Sequence, residues 1–203
     1  STGASARLLG LESEKKLMGY GVSACATCDA FFFKDKKVFV VGGGDSAMEE
    51  AIFLTKFASS VTIIHRRDSF RASKIMQDKA LNNDKIDVMW NSSVLDMIGE
   101  PEDGGLKSLL IENVLENKTF EVDADGLFLG IGHTPNSEIF KDSINLDDKG
   151  YILTYNNSTE TSKKGVFAAG DIMDPIYRQA ITAAGSGCMA ALDAERFLEN
   201  LHI

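Results

Sequence analysis

Apolar positions follow two rhythms along this chain, and the change between them marks its elements. Residues Val38–Val41 are continuously apolar, the pattern of a short strand buried on both faces. A glycine cluster follows. Ala47, Ala51, Leu54 and Ala58 then recur at +4, +3 and +4, which lines one face of a helix. Ser59-Ser60 is expected to break that helix, and Val61–Ile64 supplies the next strand. The segment KKVFVVGGGDSAMEEAIFLTKFASSVTIIHRR therefore reads as a βαβ unit. Phe70–Leu81, rich in Lys, Arg and Ala, predicts a second helix.

Short strands are expected next at 88–90, 94–98, 106–114 and 120–122. A turn at Glu100–Gly105, with Pro101, Gly104 and Gly105, joins two of them. Such a β-meander would serve as a crossover where a helix might otherwise sit. Leu127–Ile131 is a further buried apolar strand, ended by Gly132 and Pro135. From Tyr151 the pattern restarts with extended segments, then GVFAAGD, then a long helix whose buried stripe is read as Ile181, Ala184, Cys188 and Ala191. The fold class is α/β: a Rossmann-like, three-layer nucleotide-binding domain with a β-meander crossover, and a boundary near Gly132.

Composition changes this picture little. At 203 residues, with 44% hydrophobic and 25% charged residues, the chain can bury a substantial core. A net charge of −9 excludes a general nucleic-acid binder, which needs a basic surface, but not a local arginine cluster for one phosphate. No stretch approaches the roughly 18 apolar residues of a membrane span, and STGASARLLG lacks a signal-peptide layout. Three cysteines do not make a secreted scaffold, and a lone C-x-x-C in a reducing compartment is more often redox or metal chemistry; a cytoplasmic location is expected.

Two constellations carry chemistry. Gly42, Gly43, Gly44, Asp45, Ser46 and Ala47 match G-x-G-x-x-A at a strand-to-helix turn. The first glycine permits the turn, the second lets a pyrophosphate approach, and the small third residue lets helix and strand pack closely. The helix N-terminus then offers unpaired N–H groups to the anion. The alternative is a glycine turn without a ligand. An NAD site places Asp or Glu at the end of the second strand; here His65, Arg66, Arg67 and Arg71 stand there instead. Guanidinium forks pair with a ribose 2′-phosphate that a carboxylate would repel, so NADPH is favoured over NADH.

The second is Ala24-Cys25-Ala26-Thr27-Cys28-Asp29. Two cysteines so spaced can close a small disulfide ring, and at a helix start one thiolate would be stabilised. Zinc needs four ligands, and Cys188, His65, His133 and His202 are not suitably paired, so no metal is expected. Asp29 is read either as a proton carrier for the thiols or as a helix cap. Cys188, on an apolar stripe, is read as a buried structural thiol.

Together these residues resemble the low-molecular-weight, NADPH-dependent thioredoxin reductase family. STGASARLLG, GVSACATCDA, GGGDSAMEEA, HRRDSFRA, IGHTPN and GVFAAGDIMDPIYRQAITAAGSGCMAALDAERFL stand in family order over essentially the whole chain. The resemblance implies electrons running from NADPH through FAD to a Cys25–Cys28 disulfide and on to thioredoxin. It implies FAD contacts at Thr2, Gly3, Gly170, Asp171, Arg178, Gln179 and Ala180, with Ile131 and Gly132 added to the nucleotide site. It further implies a homodimer in which the nucleotide domain turns about hinges near residues 8–10 and 130–132. The family's leading FAD-binding βαβ unit is not in this sequence. The expected layout is thus a remnant of the FAD domain at 1–7, an NADPH domain at 8–132 and the C-terminal part of a second Rossmann-like FAD domain at 133–203. Alternatives are a related dithiol flavoenzyme serving another carrier, of the peroxiredoxin-reducing type, and an NADPH-binding module without turnover.

Overall fold

The computed structural model describes residues 1–201; His202 lies outside them. The chain runs β1 (Ala4–Ala6), α1 (Glu12–Leu17), β2 (Val22–Ser23), α2 (Ala26–Asp29), β3 (Lys37–Val41), α3 (Asp45–Leu54), β4 (Ser60–Ile64) and α4 (Lys74–Leu81). It continues with β5 (Ile86–Met89), β6 (Ser92–Glu100), β7 (Gly105–Asn113), β8 (Lys118–Asp123), β9 (Gly126–Leu129), β10 (His133–Pro135) and α5 (Ala180–Glu199). Contacts divide it into two compact units, residues 6–132 and residues 1–5 with those from His133 onward.

In the larger unit five parallel strands form a sheet in the order β2-β9-β3-β4-β5. The apolar runs alternate their side chains across it. Val38, Val40 and Phe128 face a core with Ala47, Met48, Ala51 and Leu54 of α3. Phe39, Leu127 and Leu129 face the opposite core, with Val94, Met97, Leu109 and Ile111 of the antiparallel β6-β7-β8 meander. The three layers are therefore helices, sheet and meander. Fully burying each such aliphatic side chain contributes about 1.5–3 kcal/mol, which is why the central run Val38–Val41 and the run Leu127–Leu129 are apolar on both faces.

Two helix boundaries differ from expectation. Helix α3 ends at Leu54, before Ser59, because Thr55 Oγ1 donates to the Ile52 carbonyl at 2.7 Å while the Phe57 and Ala58 amides both return to Leu54 at 2.9 Å. Ala58 stays buried, in the turn. Helix α4 begins at Lys74, not Phe70. The amides of Arg71 and Ala72 instead donate to the Gly43 carbonyl at 2.7 and 3.0 Å, and the Phe70 ring packs 4.3 Å from Trp90. A distant glycine turn thus claims residues that local propensity assigned to a helix.

Glu14, fully buried on α1, accepts the amides of Leu9 at 2.8 Å and Gly10 at 2.9 Å, so its charge is hydrogen-bonded on both oxygens. This fixes the segment through which the chain enters the larger unit.

The smaller unit pairs β1 with β10 and packs Ile144, Ile152, Ala168 and Ile172 into a modest core. Its α5 contradicts the expected stripe. Ile181, Ala184, Cys188 and Ala191 are all exposed, Ile181 by 80%, and no α5 residue is buried. Cys188 is therefore an exposed thiol. The helix packs through its other face: Ser186 Oγ receives the Gly170 amide at 2.9 Å, Asp193 receives both the amide and hydroxyl of Thr159, and Phe197 meets Phe167. Those hydrogen bonds orient α5 by polar residues that an apolar-periodicity reading passes over.

Candidate active site

The glycine turn follows β3 and opens α3, with Gly44 as N-cap. Gly42 has φ +152°, and a Cβ there would lie 2.4 Å from the Gly130 carbonyl oxygen, so the turn closes directly onto the end of β9. A Cβ on Gly43 would sit 2.2 Å from the His65 ring, whereas around Gly44 the space is open. The backbone is bare on the side where an anion would enter.

A cleft of about 600 Å³ runs from this turn. Gly42, Gly43, Gly44, Ser46, His65, Arg66, Arg71, Ile131 and Gly132 line it. Three expected residues do not. Ala47 is fully buried behind the turn against Gly42 and Gly130. Asp45 points its Oδ1 at Ser73, accepting the amide and the hydroxyl, each at 2.8 Å. Arg67 is exposed and outside the lining. Arg7, Leu8, Ser92 and Ser93 line the cleft and were not anticipated. They arrive from the entry segment and the start of the meander, which no local motif connects to the turn.

His65 is 6% exposed. Its ring packs against Phe70 and Trp90, and Nε2 lies 3.0 Å from the Ser69 carbonyl. Burial holds its pKa below the usual histidine value, helped by the charges of Arg71 and Arg67 and opposed by hydrogen bonding to the Ser69 and Gly42 backbone. The neutral ring props the glycine turn from beneath, beside two permanent cations.

Cys25 and Cys28 form a disulfide with Cα atoms 5.3 Å apart. Cys25 is the N-cap of the single-turn α2, and its Sγ accepts the Cys28 amide at 3.2 Å. Cys28 is exposed and Cys25 half-buried. Asp29 does not cap the turn that follows it; its Oδ2 accepts the Ser23 hydroxyl at 2.6 Å. Beside the dithiol, Phe31 and Phe32 are 70% and 71% exposed. Three consecutive phenylalanines after CDA were the available sequence signal, since a short turn cannot bury all of them. Neither cysteine lines the cleft at the glycine turn.

In the smaller unit, Thr2 Oγ1 donates to the Asn136 carbonyl at 2.8 Å, and Asn136 returns its amide to Gly3. Gly170 has φ +77°, and a Cβ there would meet only Ala183, at 3.7 Å. Asp174 gathers the amides of Ile176, Tyr177 and Arg178, which together outweigh its burial and hold its carboxyl below the usual range. That turn presents Arg178 at φ +49°, next to Gln179 and Ala180 at the start of α5, where Gln179 and Thr182 form a capping box. Burial pushes the His133 pKa down; Arg178 lowers it further and Asp171 raises it, so these three side chains share one field. His133 was weighed only as a metal ligand from the sequence; among the described residues no cluster could hold a metal.

A parallel α/β sheet, a glycine turn, an arginine-lined cleft and a C-x-x-C disulfide therefore stand together in the larger unit. The pattern of the pyridine nucleotide-disulphide oxidoreductases matches residues 1–187, and the chain belongs to that family. It is 53% identical over 97% of its length to a thioredoxin reductase of Rickettsia conorii and 56% identical over 99% to one of Streptomyces clavuligerus. It covers 64% and 62% of those proteins, so it spans under two thirds of its curated relatives' length. The crystal structure of thioredoxin reductase from Streptococcus pyogenes superposes with a TM-score of 0.92 at 42% identity, over 98% of this chain and 64% of that one. Among the described residues no helix is long and apolar enough to cross a membrane.

Proposed function

We propose that this chain carries the nucleotide-binding and disulfide-handling parts of a thioredoxin reductase, which uses NADPH and FAD to reduce the disulfide of thioredoxin. The observation that carries this reading is the pairing, on one unit, of a Cys25–Cys28 disulfide with an arginine-lined nucleotide cleft whose lining contains neither cysteine. Hydride transfer needs contact, so a two-electron relay has to stand between them.

The residues present fit NADPH and part of a flavin site. The bare glycine turn and α3 N-terminus suit a pyrophosphate, and Arg66 and Arg71 suit a 2′-phosphate. Thr2, Gly3, Gly170, Asp171, Arg178, Gln179 and Ala180, all in the smaller unit, would hold the flavin. When bound, NADPH would supply a hydride and FAD would relay its two electrons to the disulfide. Asp171 would accept hydrogen bonds from ribityl hydroxyls, and Arg178 and Gln179 would orient the ring. The Cys28 amide stabilises a Cys25 thiolate once the disulfide opens. Asp29 carries the proton that the thiols exchange, and the exposed Phe31 and Phe32 give thioredoxin an apolar contact beside them. A dimeric, cytoplasmic enzyme is part of this proposal, supported by the resemblance.

The test is thioredoxin reduction by the full-length protein supplied with NADPH and FAD. Cys28→Ser is expected to drop turnover to background while hydride transfer into the flavin persists; normal turnover by that variant contradicts the assignment.

A further inference from the structure

Strand β2 ends at Ser23, two residues before Cys25, and places a hydroxyl beside the dithiol. Ser23 is 4% exposed. Its Oγ accepts the Cys25 amide at 3.0 Å and lies 2.6 Å from Asp29 Oδ2 and 3.4 Å from the Cys25 carbonyl. A hydroxyl has one hydrogen, and the short contact to the carboxylate takes it over the long one to the carbonyl. One buried group thus joins the backbone of a reacting cysteine to the carboxylate beside the other.

We propose that Ser23 is a positioning residue that holds Asp29 in place as the proton carrier of dithiol–disulfide exchange. The inference rests on the proposed role of Asp29. Ser23 occupies Oδ2, so the travelling proton rides on Oδ1. In the first step, Asp29 takes the proton of one cysteine thiol, and the resulting thiolate forms a mixed disulfide as the partner's S–S bond breaks. The departing thiolate receives the same proton from Oδ1. The second cysteine then attacks the mixed disulfide by the same transfer. The sum is one dithiol and one partner disulfide giving the Cys25–Cys28 disulfide and two partner thiols, with two electrons moved and Asp29 unchanged. A carboxylate free to swing would meet the departing sulfur less often, because proton transfer needs hydrogen-bond reach at the moment of bond cleavage.

This role leaves a signature that a structural role lacks. A departing alkyl thiolate needs a proton, whereas a departing aromatic thiolate of low pKa leaves readily without one. The experiment uses the full chain, reduced with dithiothreitol and freed of it, and needs no flavin or nucleotide. Exchange rates are measured with glutathione disulfide and with 5,5′-dithiobis(2-nitrobenzoate) for a Cys188→Ser parent, which removes the exposed third thiol, and for Ser23→Ala, Ser23→Thr and Asp29→Asn made in that parent. The expected result is that Ser23→Ala slows the alkyl reaction about tenfold more than the aromatic one, with Ser23→Thr restoring the parent ratio. Equal slowing of both reactions by Ser23→Ala, through a shifted or poorly folded dithiol turn, overturns the proposal. If Asp29→Asn shows the selective loss and Ser23→Ala does not, the Ser23 role alone falls. If Asp29→Asn shows none, the proton-carrier reading of Asp29 falls and takes the Ser23 role with it.

Discussion

The two units of this chain treat the same kind of residue in opposite ways. In residues 6–132 the sheet is covered on both faces, and α3 buries Ala47, Met48, Ala51 and Leu54. In the smaller unit, the 20-residue α5 buries nothing, and Ile176, Tyr177 and Ile181 are exposed by 65–80%. Apolar side chains of the sheet and of α3 in the first unit are fixed by partners within the chain, Phe31 and Phe32 beside the disulfide being exposed exceptions. Those on the outer face of α5 have no covering element among the described residues, and polar contacts from Ser186 and Asp193 set the helix instead. Periodicity marks which residues want burial; it does not show whether the chain at hand supplies the cover.

Glycine substitutions break this contrast most sharply. Gly43→Ala would drive a Cβ to 2.2 Å from the His65 ring, beneath the turn that faces the cleft. It is expected to cost about 1–3 kcal/mol of stability and to weaken NADPH binding by about a hundredfold, read by thermal unfolding and titration calorimetry. Gly185→Ala meets nothing within 4 Å and lies inside α5. It should stabilise the chain by about 0.5–1 kcal/mol. A stabilised Gly43→Ala or a destabilised Gly185→Ala would reverse the picture.

The arginines sharpen it next. Replacing Arg66 and Arg71, which line the cleft, with Ala is expected to erode the preference for NADPH over NADH by about tenfold or more, while Arg67→Ala changes it far less. Equal loss of both nucleotides in the double variant would mean that these side chains do not read the 2′-phosphate.

The smallest effect is on pH dependence. His65 has its pKa lowered in the fold, so the unfolded chain binds its proton first as pH falls. Its contribution is present above about pH 6.5, the ordinary histidine value, and declines as pH drops through the lowered one. Thermal stability of the larger unit should therefore fall between about pH 7 and pH 5, and His65→Phe should flatten that slope. His133, lowered for a similar reason, lies in the smaller unit and acts on the pH dependence of that unit.

The geometry of the glycine turn and of the Cys25–Cys28 pair is legible in the sequence because it is local. The turn at Gly42–Ala47 and the pair Cys25–Cys28 are each a few consecutive residues whose geometry follows from their own spacing. What stayed hidden depends on groups far apart in sequence. The helix start at Lys74 is set by the Gly43 carbonyl and by Asp45, 28 residues before Ser73. Asp45 looked like a ligand residue at a helix N-terminus; its carboxylate is bent aside to Ser73, which removes a negative charge from the anion's path. Ser92 and Ser93 reach the cleft only through the meander. The bond from Ser23 to Asp29 spans a strand and a helical turn, so no periodicity announces it.

The proposed nucleotide cleft and the disulfide share a unit but do not meet, and a thiol count after nucleotide addition tests this. The chain has three cysteines, of which Cys188 is free and exposed. With excess NADPH and no flavin, nucleotide should bind, and denatured protein should still titrate one thiol per chain. Three thiols per chain under those conditions would mean that the cleft reduces Cys25–Cys28 directly and would contradict the account.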